Sequence, residues 1–542
     1  FLVALLEEDL RGSERLSVLF HCRQGALRQG AARWFERLGA RPANAQGQWL
    51  GLLCALAWPD RIGKLRSGSR YQLSGGVSCD LVEGHPCQGQ SALIAIEMGQ
   101  NDNQVMHQLD ILTNRFGGRL IGSDAYENAA EWMVREFKSW GLDVQLEEAG
   151  TVPVGFNRGP WFGRLLSDNG MILHFATPSY TSGTKGVQRG HAVMEPRNDE
   201  EFQQIKGRLN GAWVLISGKN VGWPIDRSAS GDSIRAEIKK ENNEIMKKNN
   251  DLRRRNWENG EKNEMLPYKE FPGLYYKEMC EAGALGFIQS STVPIRALYD
   301  RKMMNDPNTN FDNLPELPDI KLDEHQFAII EQMVKERRTF ELEFDIRNHF
   351  KLGPVKYHNV VASIKGSKYP DEYVIISGHL DAFDVATGGI DCGTGIGPMM
   401  EAARMIAKSG AKPKRTILFI GFAGEEFGLL GAQAWVKAHK DKLPKIANLF
   451  NRDGGPEPPV GISVPQAMYD DFVKISEPIQ KIRPDYPFEV KVREPRKRPT
   501  RMGGTDASVF AIEGVPTLGF TTEDFKGYDF DYGEIWHTER DL

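Results

Sequence analysis

Seven side chains in the last third of the chain combine residue types that can do metal chemistry. His379 and Asp381 follow the apolar run "YVIISG", and Asp391 stands a loop later. Glu425 and Glu426 follow "TILFIGF", Asp453 follows "IANLF" in "NRDGG", and His537 lies in "IWHTERD". Each of the first three sets sits just after a run apolar enough to be a buried strand. Alone, each has an ordinary reading: H-x-D as a polar strand end, E-E as a solvated helix start, Asp-Gly-Gly as a turn. Together, two imidazoles and several carboxylates form a donor set suited to zinc.

The adjacent glutamates pose the sharpest question. Two carboxylates at the end of a buried strand repel each other and lose hydration. A divalent cation reverses that penalty. One glutamate can then bind metal while its neighbour, pointing elsewhere, serves as a base toward a metal-activated water. His379 and Asp381 are two apart and face one side of an extended segment. The Asp381 carboxylate is therefore expected to accept a hydrogen bond from the His379 nitrogen that is not bound to metal.

Elements must bring these residues together. From about 355 onward, candidate strands at 373–378, 416–422, 446–450 and 516–520 alternate with helices. One helix carries Ile396, Met399, Met400 and Ala403 at helical spacing, with Pro398 in its first turn. The pattern predicts an α/β fold, a mostly parallel-stranded sheet with helices on both faces. Such sheets bind ligands beyond the carboxyl ends of their strands. Upstream, Ala130, Met133, Val134 and Phe137 predict one helix face, ended by Gly141, and "LDVQLEEA" predicts a strand. Residues 150–350 read as a separate β-rich unit. Within it, 237–264 is so densely charged with both signs that it reads as an exposed helix or mobile insertion.

Bulk composition sets limits. The 542 residues suit about three or four domains. A hydrophobic content of 40%, a charged content of 26% and a net charge of −5 describe a globular protein without an overall basic field. No apolar run reaches the roughly 18 residues of a membrane span. The six cysteines form no C-x-x-C pair and no regular framework. Composition shifts near residue 100: residues 1–99 are rich in Arg, Leu, Ala and Gly, with helical character early and a hairpin at "SRYQLSGGVSCDLV".

The string "NVVASIKG…VIISGHLDAFD…GIDCGTGIGPMMEAAR…TILFIGFAGEEFGLLGAQAW…NRDGG…WHTERD" resembles the di-zinc exopeptidase family, which includes bacterial aminopeptidases and plasma glutamate carboxypeptidase. The resemblance implies the zinc exopeptidase fold for 100–149 and 351–542, with 150–350 as an inserted protease-associated domain. It implies two zinc ions: Asp391 bridging both, His379 and Asp453 completing one, Glu426 and His537 the other. Glu425 matches the general base, acting on peptides near a free terminus, with aminopeptidase or dipeptidase action expected. Cys392, where relatives carry Asp or Asn, reads as a small packed residue rather than a soft ligand. Trp536 replaces a Tyr or His that helps the oxyanion, and an indole N–H can donate but not accept. Residues 1–99 resemble the C-terminal region of bacterial ATP-dependent helicases, through W-P-D-R-I and R-Y-x-L-S-G-G. They contain no Walker motif and read as an unrelated fusion. The competing readings are a metal-free receptor-like module of the same fold and a nucleic-acid accessory acting through 1–99. The expected partner is a peptide, with neither nucleic acid nor membrane, and the oligomeric state stays open. Relatives are mostly exported, while the start of this chain resembles no signal peptide.

Overall fold

The computed structural model describes residues 70–72, 78–80 and 88–542 except 168, 169 and 307. Its first large sheet has six strands in the order Thr517–Leu518, Ile446–Asn451, Tyr369–His379, Arg415–Phe422, Val355–Ile364, Asp143–Val152. The first four run parallel, and Val355–Ile364 is antiparallel to both its neighbours. Alternation along these strands sorts two cores. Val360, Ala362, Ile376, Ile417 and Phe419 face the helices Asp124–Ser139 and Gly393–Lys408. Val361, Ile375, Leu418 and Ile420 face the helices Leu430–Ala438 and Asp506–Ile512. Strands buried on both faces need continuous apolar runs, which explains "VIIS" and "ILFI".

Helix Asp124–Ser139 begins where the Ser123 side chain accepts from the Tyr126 amide at 3.1 Å. It ends before Gly141, whose φ of +89° suits a residue without Cβ. Helix Gly393–Lys408 starts five residues before Pro398, so the proline lies in the second turn rather than the predicted first. The glycines explain the earlier start. A Cβ at Gly395 would lie 2.2 Å from the Arg452 carbonyl and one at Gly393 2.9 Å from the Gly388 carbonyl, so only glycine allows the backbone this close.

Between two neighbouring strands of this sheet, the chain leaves to build a second sheet of seven strands over residues 155–351. Four of these, Gln188–Met194, Ala212–Asn220, Gly286–Ser291 and Asp319–Asp323, are parallel neighbours. The region is thus α/β in character, where sequence reading expected mainly β structure. Residues 237–259 of the densely charged stretch belong to a 31-residue helix, Ala229–Asn259.

That helix holds the returning segment after it by an asparagine ladder. Asn242 pairs with the backbone of Lys269, Asn249 with Leu266 and Asn256 with Asn263, each side chain donating to a carbonyl and accepting from an amide at 2.7–2.9 Å. The arithmetic is geometric. Seven helical residues rise about 10.5 Å, and three extended residues span about 10 Å. Asparagine every seventh residue therefore meets every third residue of an antiparallel extended chain.

Strands Arg70–Gln72 and Ser78–Asp80 pair antiparallel at the expected hairpin. The helical reading of the first forty residues lies outside the described residues. Helix Gln88–Asn101 spans the composition shift expected near residue 100. It is continuous through that point, and Ala95 and Met98 pack in the main core. Just beyond it, Asp102 bonds Arg404 at 2.9 Å and the Gln104 amide donates to Glu401 at 3.1 Å. Among the described residues, no helix is long and apolar enough to cross a membrane.

Candidate metal centre and active site

Strand Tyr369–His379 delivers His379, fully buried, at its carboxyl end. The following loop, 380–391, is held from two sides. The buried Arg119 guanidinium donates to the carbonyls of Leu380 (2.8 Å), Thr387 (2.8 Å) and Gly388 (3.0 Å). The Asp541 carboxylate accepts from the amides of Ile390 (2.7 Å) and Asp391 (3.1 Å). These bonds fix Asp391 at the loop's end.

Strand Arg415–Phe422 runs into a tight turn, with Gly424 at φ +66°, that presents Glu425 and Glu426. Here the structure corrects the expected role of Asp381. The His379 Nδ1 bonds the Asp381 backbone carbonyl at 2.9 Å, while the carboxylate stands 3.7 Å away. The carboxylate instead accepts from the Glu425 amide at 3.1 Å and the Glu426 amide at 3.2 Å. The loop turns after His379, so the carbonyl reaches the ring first and the side chain is free to cap the neighbouring strand end. Asp381 thus orients the histidine and both glutamates.

The donor atoms converge. His379 Nε2 lies 3.1 Å from Asp391 Oδ1 and 3.6 Å from Asp453 Oδ1. His537 Nε2 lies 3.5 Å from Asp391 Oδ2 and 2.8 Å from Glu426 Oε2. A tetrahedral zinc ion with bonds of about 2.0–2.1 Å sets its donors roughly 3.3–3.4 Å apart. The residues fit two such ions, with one oxygen of Asp391 turned toward each histidine.

Electrostatics point the same way. Burial, with Asp391 and Glu425 adding to it, pushes the Glu426 carboxyl well above its ordinary range. Burial also lifts Glu425 to about 9, against the pull of His379. His537 is lowered to about 4 by burial. So dense a set of buried acids is tolerated when cations share the site, which answers the question posed by the paired glutamates.

Further residues were not legible in sequence. Asp506, fully buried at the start of its helix, has neither carboxylate oxygen hydrogen-bonded and is raised well above its usual pKa by burial, then by Asp381 and Asp453. Arg119 and Asp541 act through backbone groups distant in sequence, which leaves no local motif. Cys392 is buried, donates to the Arg452 carbonyl at 3.1 Å, and lies near His379 and Asp453. Trp536 stacks on His537 at 4.1 Å and is 41% exposed. Phe383 meets the His537 ring edge-on at 4.6 Å.

Residues 359–542 match the model of Peptidase family M28. Carboxypeptidase Q of Xenopus laevis is 26% identical over 399 residues, covering 70% of this chain and 72% of that protein. Carboxypeptidase Q of Rattus norvegicus is 22% identical over 445 residues, covering 80% of each. Among solved structures, a Peptidase M28 precursor from Shewanella amazonensis SB2B aligns with TM-score 0.49 and 21% identity, over 83% of this chain and 90% of that one. With this site, the chain is a zinc-dependent metallo-exopeptidase. Over residues 359–542 it is similar to the peptidases of family M28.

Proposed function

We propose that the chain removes residues from the free amino end of short peptides, as an aminopeptidase or dipeptidase. The supporting observation is the two-sided Asp391, whose oxygens lie 3.1 Å from His379 and 3.5 Å from His537. His379 and Asp453 would hold one zinc with Asp391; Glu426 and His537 would hold the other. Bound zinc supplies Lewis acidity to the peptide carbonyl and makes a nearby water acidic. Glu425 is the base: its amide is pinned by Asp381, and the ligand role at this turn falls to Glu426, which faces His537. Its carboxylate takes the proton of the attacking water and returns it to the leaving amine. Residues 150–350 serve in this reading as a protease-associated domain, and residues 1–99 as a helicase-like segment without a part in catalysis.

Relatives named carboxypeptidase Q favour a second reading, removal of the carboxyl-terminal residue. Kinetics on one tripeptide, free, N-acetylated and C-amidated, separate the two. The proposal expects N-acetylation to abolish cleavage. Cleavage of the acetylated peptide with loss on amidation would assign the carboxypeptidase.

A further inference from the structure

The segment Ile295–Arg301 reaches from the inserted domain to the mouth of the site. Glu539 holds it by two hydrogen bonds: its amide donates to the Ile295 carbonyl at 3.0 Å, and its carboxylate accepts from the Ile295 amide at 2.9 Å. Arg296 forms a bridge with Thr538, next to His537. The Arg296 Nη2 donates to the Trp536 carbonyl at 3.1 Å, and its guanidinium lies over the Trp536 indole, 5.1 Å from the ring centre. That indole lies in turn on the His537 imidazole at 4.1 Å. Trp536 thus lies against both His537 and Arg296.

Arg296 has no acidic partner among the described residues, and its buried Nε makes no hydrogen bond. Many other arginines of the inserted domain, including Arg158, Arg164, Arg189, Arg197 and Arg227, are paired with carboxylates. A half-buried guanidinium held in place by an aromatic face and a carbonyl, with donors left over, is prepared for an anion.

We propose that Arg296 reads a carboxylate on the leaving side of the peptide substrate, and so sets a preference for short peptides with a free carboxyl end. The proposal rests on the exopeptidase reading above. Contacts of 4.1 and 5.1 Å to the shared indole keep the guanidinium within about 9 Å of the His537 ring. An extended chain advances about 3.3 Å per residue, so that reach corresponds to two or three residues. The anion is then the terminal carboxylate of a tripeptide or tetrapeptide.

The test compares kcat/KM for tri-alanine, its carboxyl-terminal amide, and Ala-Ala-Glu amide, in the wild-type zinc-loaded protein and in Arg296→Gln and Arg296→Lys. The readout is the acid-to-amide ratio, which a general loss of activity does not move. A charge-assisted bond predicts a ratio of about ten or more in the wild type, near one in Arg296→Gln and partly kept in Arg296→Lys. A low rate for Ala-Ala-Glu amide assigns the main-chain terminus; a rate near that of tri-alanine overturns that assignment in favour of an acidic side chain. A wild-type ratio near one, or a ratio retained in Arg296→Gln, overturns the proposal. If none of the peptides is cleaved, the exopeptidase reading fails instead. Calorimetric titration of tri-alanine and its amide then decides on Arg296: a tenfold affinity difference lost in Arg296→Gln supports it, and equal affinities refute it.

Discussion

Glu425 and Glu426 are adjacent, yet the structure gives them different neighbours. Glu426 faces His537 at 2.8 Å, and the Glu425 amide is fixed by Asp381. Glu425→Gln keeps the size and cannot accept the proton, so activity should fall by about 10²–10⁴-fold, with zinc content staying near two per chain. Inductively coupled plasma analysis beside peptide kinetics checks this; full activity would remove Glu425 from the base role. Asp381→Asn should remove one glutamate amide bond, because an amide nitrogen cannot accept, and weaken the other by loss of charge, and with them zinc affinity in a chelator competition. Residue types and strand-end positions nominated the side chains that converge here. The partner of Asp381 was not legible, because a period of two describes a strand and the chain stops being a strand at His379. Asp506, Arg119 and Asp541 were missed for a related reason: their contacts span large sequence separations, and no spacing rule encodes them.

Among the elements, the arm Ala229–Asn259 shows how a charged sequence without an apolar stripe becomes a defined structure. Sequence reading saw its charge but missed the asparagine period, because a polar ladder leaves no hydrophobic pattern. Asn249→Ala removes two hydrogen bonds from a buried position and should loosen the returning segment by about 1–3 kcal/mol. Hydrogen exchange at Leu266 should accelerate, and proteolysis between 260 and 270 should appear. An unchanged exchange rate would show that the ladder does not hold the segment. In the same domain, the buried Glu195 is raised to about 7 by burial, although it accepts from the Ser217 amide at 2.7 Å and the Leu274 amide at 3.2 Å. A carboxyl whose folded pKa exceeds its unfolded value near 4.5 costs stability as pH rises from about 4.5 to 7, with the full penalty present above 7. The cost is on the order of 3 kcal/mol. The Glu195→Gln protein should therefore show a flatter melting temperature between pH 5 and 8; a pH profile parallel to the wild type would contradict the shift.

For the whole molecule, the sheet order and the insertion between Asp143–Val152 and Val355–Ile364 put the second domain beside the metal centre, through residues 295–301. The alternation of strands and helices after 355 made the first sheet legible. The parallel centre of the second was hidden among long connections. The composition shift near residue 100 falls within helix Gln88–Asn101, which packs Ala95 and Met98 into the main core. A chain beginning at Gln88 should keep zinc content and catalytic efficiency. One beginning at Asp102 should melt at a lower temperature, because it loses that packing. Equal melting of the two would show that the helix adds nothing. The two-metal arrangement around Asp391 is tested most directly by anomalous diffraction at the zinc edge from crystals of the zinc-loaded protein. Two peaks are expected, one beside His379 and Asp453 and one beside Glu426 and His537, with Asp391 between them. A single peak, or none touching Asp391, would contradict it.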